Sequence, residues 1–147
     1  MAILKKIALG SDHAGFELKE QIKKFLLREK VETFDFGTNS MESVDYPDYV
    51  HPLAKSVEAG EYDAGIIICG SGNGVNMTAN KYKGIRSALC WQEEIAELAR
   101  LHNDANILAM PARFITAEEA QKITVKFINT QFEGGRHLAR VEKICKK

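Results

Sequence analysis

The sequence has no apolar run of about 18 residues, no Cys-x-x-Cys, no internal repeat and no low-complexity tract or Pro/Gly-rich linker. Each absence removes a class of protein. Without the long apolar run there is no membrane-spanning helix to place, and the apolar part of MAILKKIALG is too short for a secretory h-region, so a cytoplasmic chain without membrane partners is expected. Cys69, Cys90 and Cys145 are an odd number set far apart, which argues against a disulfide framework or a structural zinc site and leaves at least one thiol free. Neither sign of charge dominates. The 20 Lys+Arg balance 20 Asp+Glu, so no global field draws the chain to nucleic acid, and recognition of any anion has to be local. With nothing to mark an internal boundary, residues 1–147 are expected to form one domain, a length able to bury a core unaided.

What is present is an alternation of short apolar runs and amphipathic stretches, the pattern of βα units around a parallel sheet. Strands are predicted at 5–10, 31–37, 64–69, 85–90 and 105–110. Leu18, Ile22, Phe25 and Leu26 fall on one helical face and predict a helix over 14–30; Pro47 opens a second that runs to about 60. A short helix follows the glycines of GSGNG, and another spans 92–103 with Ile95, Leu98, Ala99 and His102 on one face. Thr116 and Glu119 have the spacing of a capping box for a fifth helix, and a sixth is predicted at 135–145. The fold class this implies is α/β: a Rossmann-like three-layer αβα sandwich around a five-stranded parallel sheet.

In such sheets ligands sit beyond the carboxyl ends of the strands. Two polar segments stand there: Gly10-Ser11-Asp12-His13 after the first strand, and Cys69-Gly70-Ser71-Gly72-Asn73-Gly74 after the third. Alternate glycines free backbone N–H groups to form a nest for an anion, although glycines alone also make a tight turn with no ligand. Spacing excludes the familiar alternatives. Val75 occupies the last glycine position of a dinucleotide fingerprint, no Gly-Lys-Ser/Thr follows for a P-loop, and Val75 also stands where a Cys-x5-Arg phosphatase loop needs arginine.

Cys69 ends a run of isoleucines, which suits a core cysteine; loop amides and a helix start beside it equally favour a thiolate. Cys90 lacks such a loop and reads as packing, and Cys145 has no assignable role. His102 is either a core histidine on the Ile95/Leu98 stripe or a general acid at a helix C-terminus, where the dipole favours imidazolium. Asn103 follows it as a turn residue. His13, in a loop beside Asp12, faces any ligand more naturally than a core; His51, mid-helix before Pro52, reads as surface. Arg136 and Arg140 share a helix face as a solvated stripe or as a fork for a phosphate dianion, with Arg113 as a third donor. No His/Asp/Glu set has metal-ligand spacing, and neither metal nor cofactor is expected.

The stretches IALGSDHAGFELK, FGTNS, DYPDY, ICGSGNGVNMTANK, GIRSALC, RLHNDANILAMPAR and QFEGGRHLARVEKI, in that order and over nearly the whole length, resemble the ribose-5-phosphate isomerase B family, within the group that also holds galactose-6-phosphate isomerase subunits. The resemblance implies an aldose–ketose isomerase of sugar phosphates. It places the proton-moving base on Cys69 and the ring-opening acid on His102, with Asn103 beside it. Substrate contacts fall on Asp12, His13, Tyr46 and Gly70, Ser71, Gly72, Asn73 and Gly74; phosphate contacts fall on Arg113, Arg136 and Arg140, with His13. Some members carry a glutamate at the position of Val75, so this chain resembles the cysteine subtype, and Ser71 keeps the hydroxyl that a threonine supplies elsewhere. The resemblance further implies a homodimer, or a dimer of dimers, in which His102 reaches the site from the partner. Ribose 5-phosphate is the implied substrate, with allose 6-phosphate or galactose 6-phosphate as six-carbon alternatives and a non-catalytic phosphate or nucleotide sensor as the rival class.

Overall fold

A computed structural model describes residues 2–146, and in it the apolar runs become five strands and the amphipathic stretches six helices among those residues. In chain order these are β1 (Lys6–Ser11), α1 (Phe16–Arg28), β2 (Glu32–Asp35), α2 (Pro47–Glu58), β3 (Ala64–Cys69), α3 (Asn73–Ala79), β4 (Ser87–Leu89), α4 (Glu93–Asn103), β5 (Ile107–Pro111), α5 (Ala117–Asn129) and α6 (Arg136–Lys143). All pairings are parallel, in the order β2-β1-β3-β5-β4. The predicted α/β sandwich is the one observed. The predicted fourth strand, 85–90, shrinks to Ser87–Leu89 because it lies at the sheet edge, where one side has no ladder partner.

The central strands are buried on both faces, which is why AGIIIC and ILAMP read as continuous apolar runs rather than alternating ones. Ile66, Ile68, Leu108 and Met110 join the core beneath α1, α4 and α5, whereas Ile67, Cys69, Ile107 and Ala109 join the core beneath α2 and α3. Each fully buried isoleucine contributes about 1.5–3 kcal/mol of transfer free energy. The period-two alternation therefore turns the side chain of Cys69 toward the α2/α3 layer.

α1 buries Leu18, Ile22, Phe25 and Leu26, as their spacing predicts. The capping box of α5 forms in both directions: the Glu119 amide donates to Thr116 Oγ1 at 3.1 Å and the Thr116 amide to Glu119 Oε1 at 3.0 Å. On α4 the predicted stripe is displaced. Ala96, Ala99 and Arg100 are the buried residues, Leu98 is exposed and His102 is half-buried, because the Arg100 guanidinium turns inward to donate to the Thr130 and Ala105 carbonyls. His102 is thus no core histidine.

Lys19 is fully buried, and Asp35 accepts from its Nζ at 2.6 Å and from Lys23 Nζ at 2.8 Å. The second Asp35 oxygen accepts the Gly37 amide at 2.8 Å, and Gly37 in turn accepts from Ser11 at the end of β1. Burial pushes the Asp35 carboxyl up, but its bonds to Lys19, Lys23 and the Gly37 amide outweigh this and hold it below the ordinary carboxylate range. A depressed folded-state value means stability that is present above the unfolded pKa and is lost as pH falls through the carboxylate range. Asp35→Asn leaves the buried Lys19 ammonium only the partly exposed Glu20 carboxylate, 3.0 Å away, so we expect a loss of about 1–3 kcal/mol and a flatter acid limb in urea denaturation between about pH 3 and 5.

Candidate active site

After β1 the chain crosses to β2 on one side, and β3 then adds on the other, so β1 and β3 flank the topological switch point where doubly wound sheets bind ligands. The loops that leave these two strands line a common cavity of about 500 Å³. Asp12, His13 and Ala14 form one wall, Cys69, Gly70, Ser71 and Gly74 another, and Tyr46, Arg113 and Phe114 close the rim.

Each group is held by backbone. The Asp12 amide donates to the Ile68 carbonyl at 3.3 Å, and its carboxylate accepts the Gly15 amide at 3.1 Å. Gly15 is obligatory here, since a Cβ would collide with the Ile68 carbonyl and push this loop off β3. His13 Nδ1 accepts the Val44 amide at 3.1 Å, so in the neutral ring the proton sits on Nε2 and is available to a ligand oxygen. The Tyr46 ring lies against Gly74, where any Cβ would strike it.

Cys69 is the last residue of β3 and is 6% exposed. Its carbonyl accepts the Ala112 amide at 2.9 Å, and the Gly70 carbonyl accepts the Arg113 amide at 3.0 Å. These two bonds clamp the turn after β5 onto the turn after β3 and lay the Arg113 side chain over Gly70. The Ser71 hydroxyl accepts the Asn73 amide at 3.3 Å, which leaves its own hydrogen free to donate. Gly72 adopts φ 77°, a conformation that costs other residues roughly 1–2 kcal/mol, and faces Leu89 and Met110 rather than the cavity. Asn73 also lies outside this lining; with Ser71 it borders an adjoining cavity of about 520 Å³ flanked by Leu89, Trp91 and Phe114. Phe114 and Ala14 were not singled out by the sequence, although each directly follows a candidate, Arg113 and His13.

The other thiols differ sharply. Cys90 is fully buried, and burial pushes its thiol up to about 12, which leaves it un-ionised at neutral pH. Cys145 is exposed and donates to the Lys83 carbonyl at 3.2 Å.

The remaining candidates are elsewhere. His102 and Asn103 end α4, the helix that leads into the start of β5, whereas Cys69 pairs with Pro111 at that strand's far end. Four strand steps, about 13 Å, separate those levels, so His102 and Asn103 stand at the opposite end of the sheet from Cys69. α6 packs on α4 and brings Arg136 and Arg140 to that same end, both exposed. The His102 and His137 rings stack at 4.2 Å, and Glu133 Oε2 lies 3.8 Å from His102 Nε2 and 3.9 Å from His137 Nε2. Burial, then the His102 and arginine charges, hold the His137 imidazole below its ordinary value against the pull of Glu133. One chain therefore separates its candidate residues into two groups: the thiol, glycine loop and Arg113 at one end, imidazoles and two arginines at the other.

A doubly wound α/β protein with a thiol and a glycine-rich loop at its switch point has the form of an enzyme for a small-molecule substrate. Comparison with known proteins makes this specific. Residues 7–144 match the model of a family described as Ribose/Galactose Isomerase, and the chain belongs to that family. It is 47% identical over 141 residues to ribose-5-phosphate isomerase B of Escherichia coli, covering 96% of this chain and 95% of that one. The crystal structure of a ribose 5-phosphate isomerase from Thermotoga maritima superposes with a TM-score of 0.95 at 51% identity, covering 97% of this chain and 98% of that one. Ribose-5-phosphate isomerase B from Mycoplasma genitalium with bound ribulose 5-phosphate matches at a TM-score of 0.91 and 42% identity, covering 95% and 93% of the two chains. Among the described residues no helix is long and apolar enough to cross a membrane.

Proposed function

We propose that this chain is an aldose–ketose isomerase that interconverts ribose 5-phosphate and ribulose 5-phosphate through a cis-enediolate, with Cys69 as the base. The observation that carries this reading is Cys69 itself, set at the mouth of β3 in a cavity with Asp12, His13, Tyr46 and the glycine loop. Family membership supplies the reaction class. The whole of 1–147 acts as one domain in the cytoplasm, a compartment whose reducing poise keeps an active thiol free.

The working unit is a homodimer, or a pair of such dimers, whose sites join Cys69 of one copy to His102 of another. The separation of the two groups along β5 supports this, since no small sugar spans both ends of one sheet. In the joined site His102 gives a proton to the ring oxygen while the anomeric hydroxyl passes its own to solvent water; the ring C–O bond breaks and the sugar opens to the free aldehyde. Cys69 Sγ then takes the C2 proton; the electron pair of that C–H bond forms the C1–C2 double bond, and charge develops on O1. Return of the proton from Sγ to C1 yields the ketose, while the Ser71 hydroxyl relays a proton between O2 and O1. Of the loop amides, those of Gly70, Ser71 and Gly74, which line the cavity, face the developing oxyanion, where one donor is worth about 10²–10³ in rate. Asp12, Tyr46 and Asn103 hold the sugar hydroxyls. Arg113, His13 Nε2, Arg136 and Arg140 bind the phosphate, so that binding energy remote from the reacting carbons orients them. No step requires a metal or cofactor.

The reading is tested by incubating the purified protein with ribose 5-phosphate, ribulose 5-phosphate, allose 6-phosphate and galactose 6-phosphate, with and without chelator. Chelator-insensitive conversion of the pentose phosphates is expected; phosphate binding without turnover of any sugar would identify a sensor instead. A six-carbon substrate is the second reading, favoured by the galactose in the family's description. Arg136→Ala is expected to raise KM by about tenfold or more with a smaller change in kcat, as loss of one charged phosphate contact requires. An unchanged KM in steady-state assays removes Arg136 from the phosphate site.

A further inference from the structure

The cluster at the end of α4 offers a second chemistry. His102, Glu133 and His137 present one donor atom each, all within 4.8 Å of one another. Along the chain they are too scattered to read as a ligand set; the fold assembles them. The Glu133 amide donates to the Leu101 carbonyl at 3.0 Å, which ties Glu133 to the last turn of α4 beside His102. Gly134 and Gly135, both at positive φ, then turn the chain so that α6 delivers His137 to the same point. His137 is 5% exposed, yet its Nε2 is buried with no hydrogen-bond partner. A buried imidazole nitrogen without a partner is costly, and here the Glu133 carboxylate lies 3.9 Å from it.

We propose that His102, Glu133 and His137 form a binding site for a divalent cation of the zinc class. Two imidazoles and one carboxylate are a donor set zinc accepts, with a fourth position left for water. Tetrahedral zinc at about 2.0–2.1 Å from each donor needs donor–donor spacings of about 3.3 Å. The two distances to Glu133, 3.8 and 3.9 Å, need to contract by about half an ångström, and the half-buried His102 ring has to turn out of its stack on His137 so that both in-plane lone pairs meet at the metal; Glu133 is exposed enough to follow. The Nε2 of each histidine then has a partner. The metal occupies the lone pair with which His102 would otherwise hold the proton for ring opening, so zinc is a reversible inhibitor rather than a cofactor. This inhibitory consequence rests on the role proposed for His102; the binding does not.

The test is titration of the chelator-treated intact enzyme with zinc chloride by calorimetry, with the rate of ribose 5-phosphate turnover read at the same zinc concentrations. Cobalt substitution reports the ligand type. Saturable binding of one zinc per chain is expected, weakened at least about tenfold in Glu133→Gln, retained in Cys69→Ala, and giving a cobalt spectrum without thiolate charge transfer. Glu133 is exposed, so its amide variant keeps the fold; His137→Gln is a second check on the buried ligand. No saturable binding below about 0.1 mM, equal affinity in Glu133→Gln, or loss of binding in Cys69→Ala overturns the site. Zinc that binds through Glu133 yet leaves turnover unchanged at saturation instead overturns the acid role of His102, while the metal site stands.

Discussion

Cys69→Ala is expected to lower kcat by at least about 10³-fold, the worth of a positioned base, while leaving the denaturation midpoint within about 1 kcal/mol of the parent and phosphate binding intact. Two features make the change selective. The side chain is small; although 6% exposed and packed in the α2/α3 core, it also lines the cavity at the end of β3, so truncation removes a single sulfur from that packing. The proposed phosphate contacts do not use the thiol: His13 is held by the Val44 amide, and the Arg113 backbone by the Gly70 carbonyl. Turnover assays at saturating ribose 5-phosphate with urea melts on the same preparation decide the matter. More than a few per cent of parental kcat would falsify the assignment of the base to Cys69. Cys90 cannot take over, because burial holds its thiol near 12 and keeps it un-ionised.

Mixing two inactive variants should restore activity. In the proposed dimer with shared sites, His102→Ala removes the acid and Cys69→Ala the base, so each homodimer has only defective sites. In a mixed dimer the intact Cys69 of one chain meets the intact His102 of the other at one of its two sites, whereas the second site lacks both. Random reassortment after unfolding and refolding makes half the dimers mixed, so about a quarter of parental activity is expected. Were acid and base drawn from a single chain, no mixture would recover anything. The assay therefore reads the sharing of the site directly, and a null result after demonstrated subunit exchange would sink it. The geometry that motivates it is plain: His102 ends the helix that leads into β5, and Cys69 pairs with that strand's last residue.

Much of the fold is legible in the chain because the forces that shape it are local or periodic. Unbroken AGIIIC and ILAMP announce strands buried on both faces, Thr116 with Glu119 announces the start of α5, and Leu18, Ile22, Phe25 and Leu26 mark the face of α1. The failures have causes beyond the element itself. On α4 an apolar Leu98 is exposed and a charged Arg100 is buried, because the carbonyls of Ala105 and Thr130 satisfy the guanidinium; no periodicity in the helix records partners that lie in other segments. The edge strand β4 is shorter than its apolar run because only one of its sides finds a ladder.

The candidate site divides in the same way. By itself the sequence determined which chemistry was on offer: a thiol ahead of alternate glycines, a loop with Asp12 and His13, three arginines, and the order of strands and helices that carries them. Residue type and short-range spacing suffice for that, since a backbone nest or a helix face is built from neighbours in the chain. Only the tertiary structure decided which groups meet. Strand order sets β1 beside β3 and so joins Asp12 and His13 to Cys69; the length of β5 holds His102 and Arg136 at the far end; and the packing of α6 on α4 brings Glu133 and His137 to His102. Those meetings depend on long-range packing, and contacts between segments tens of residues apart leave no periodic trace in either segment.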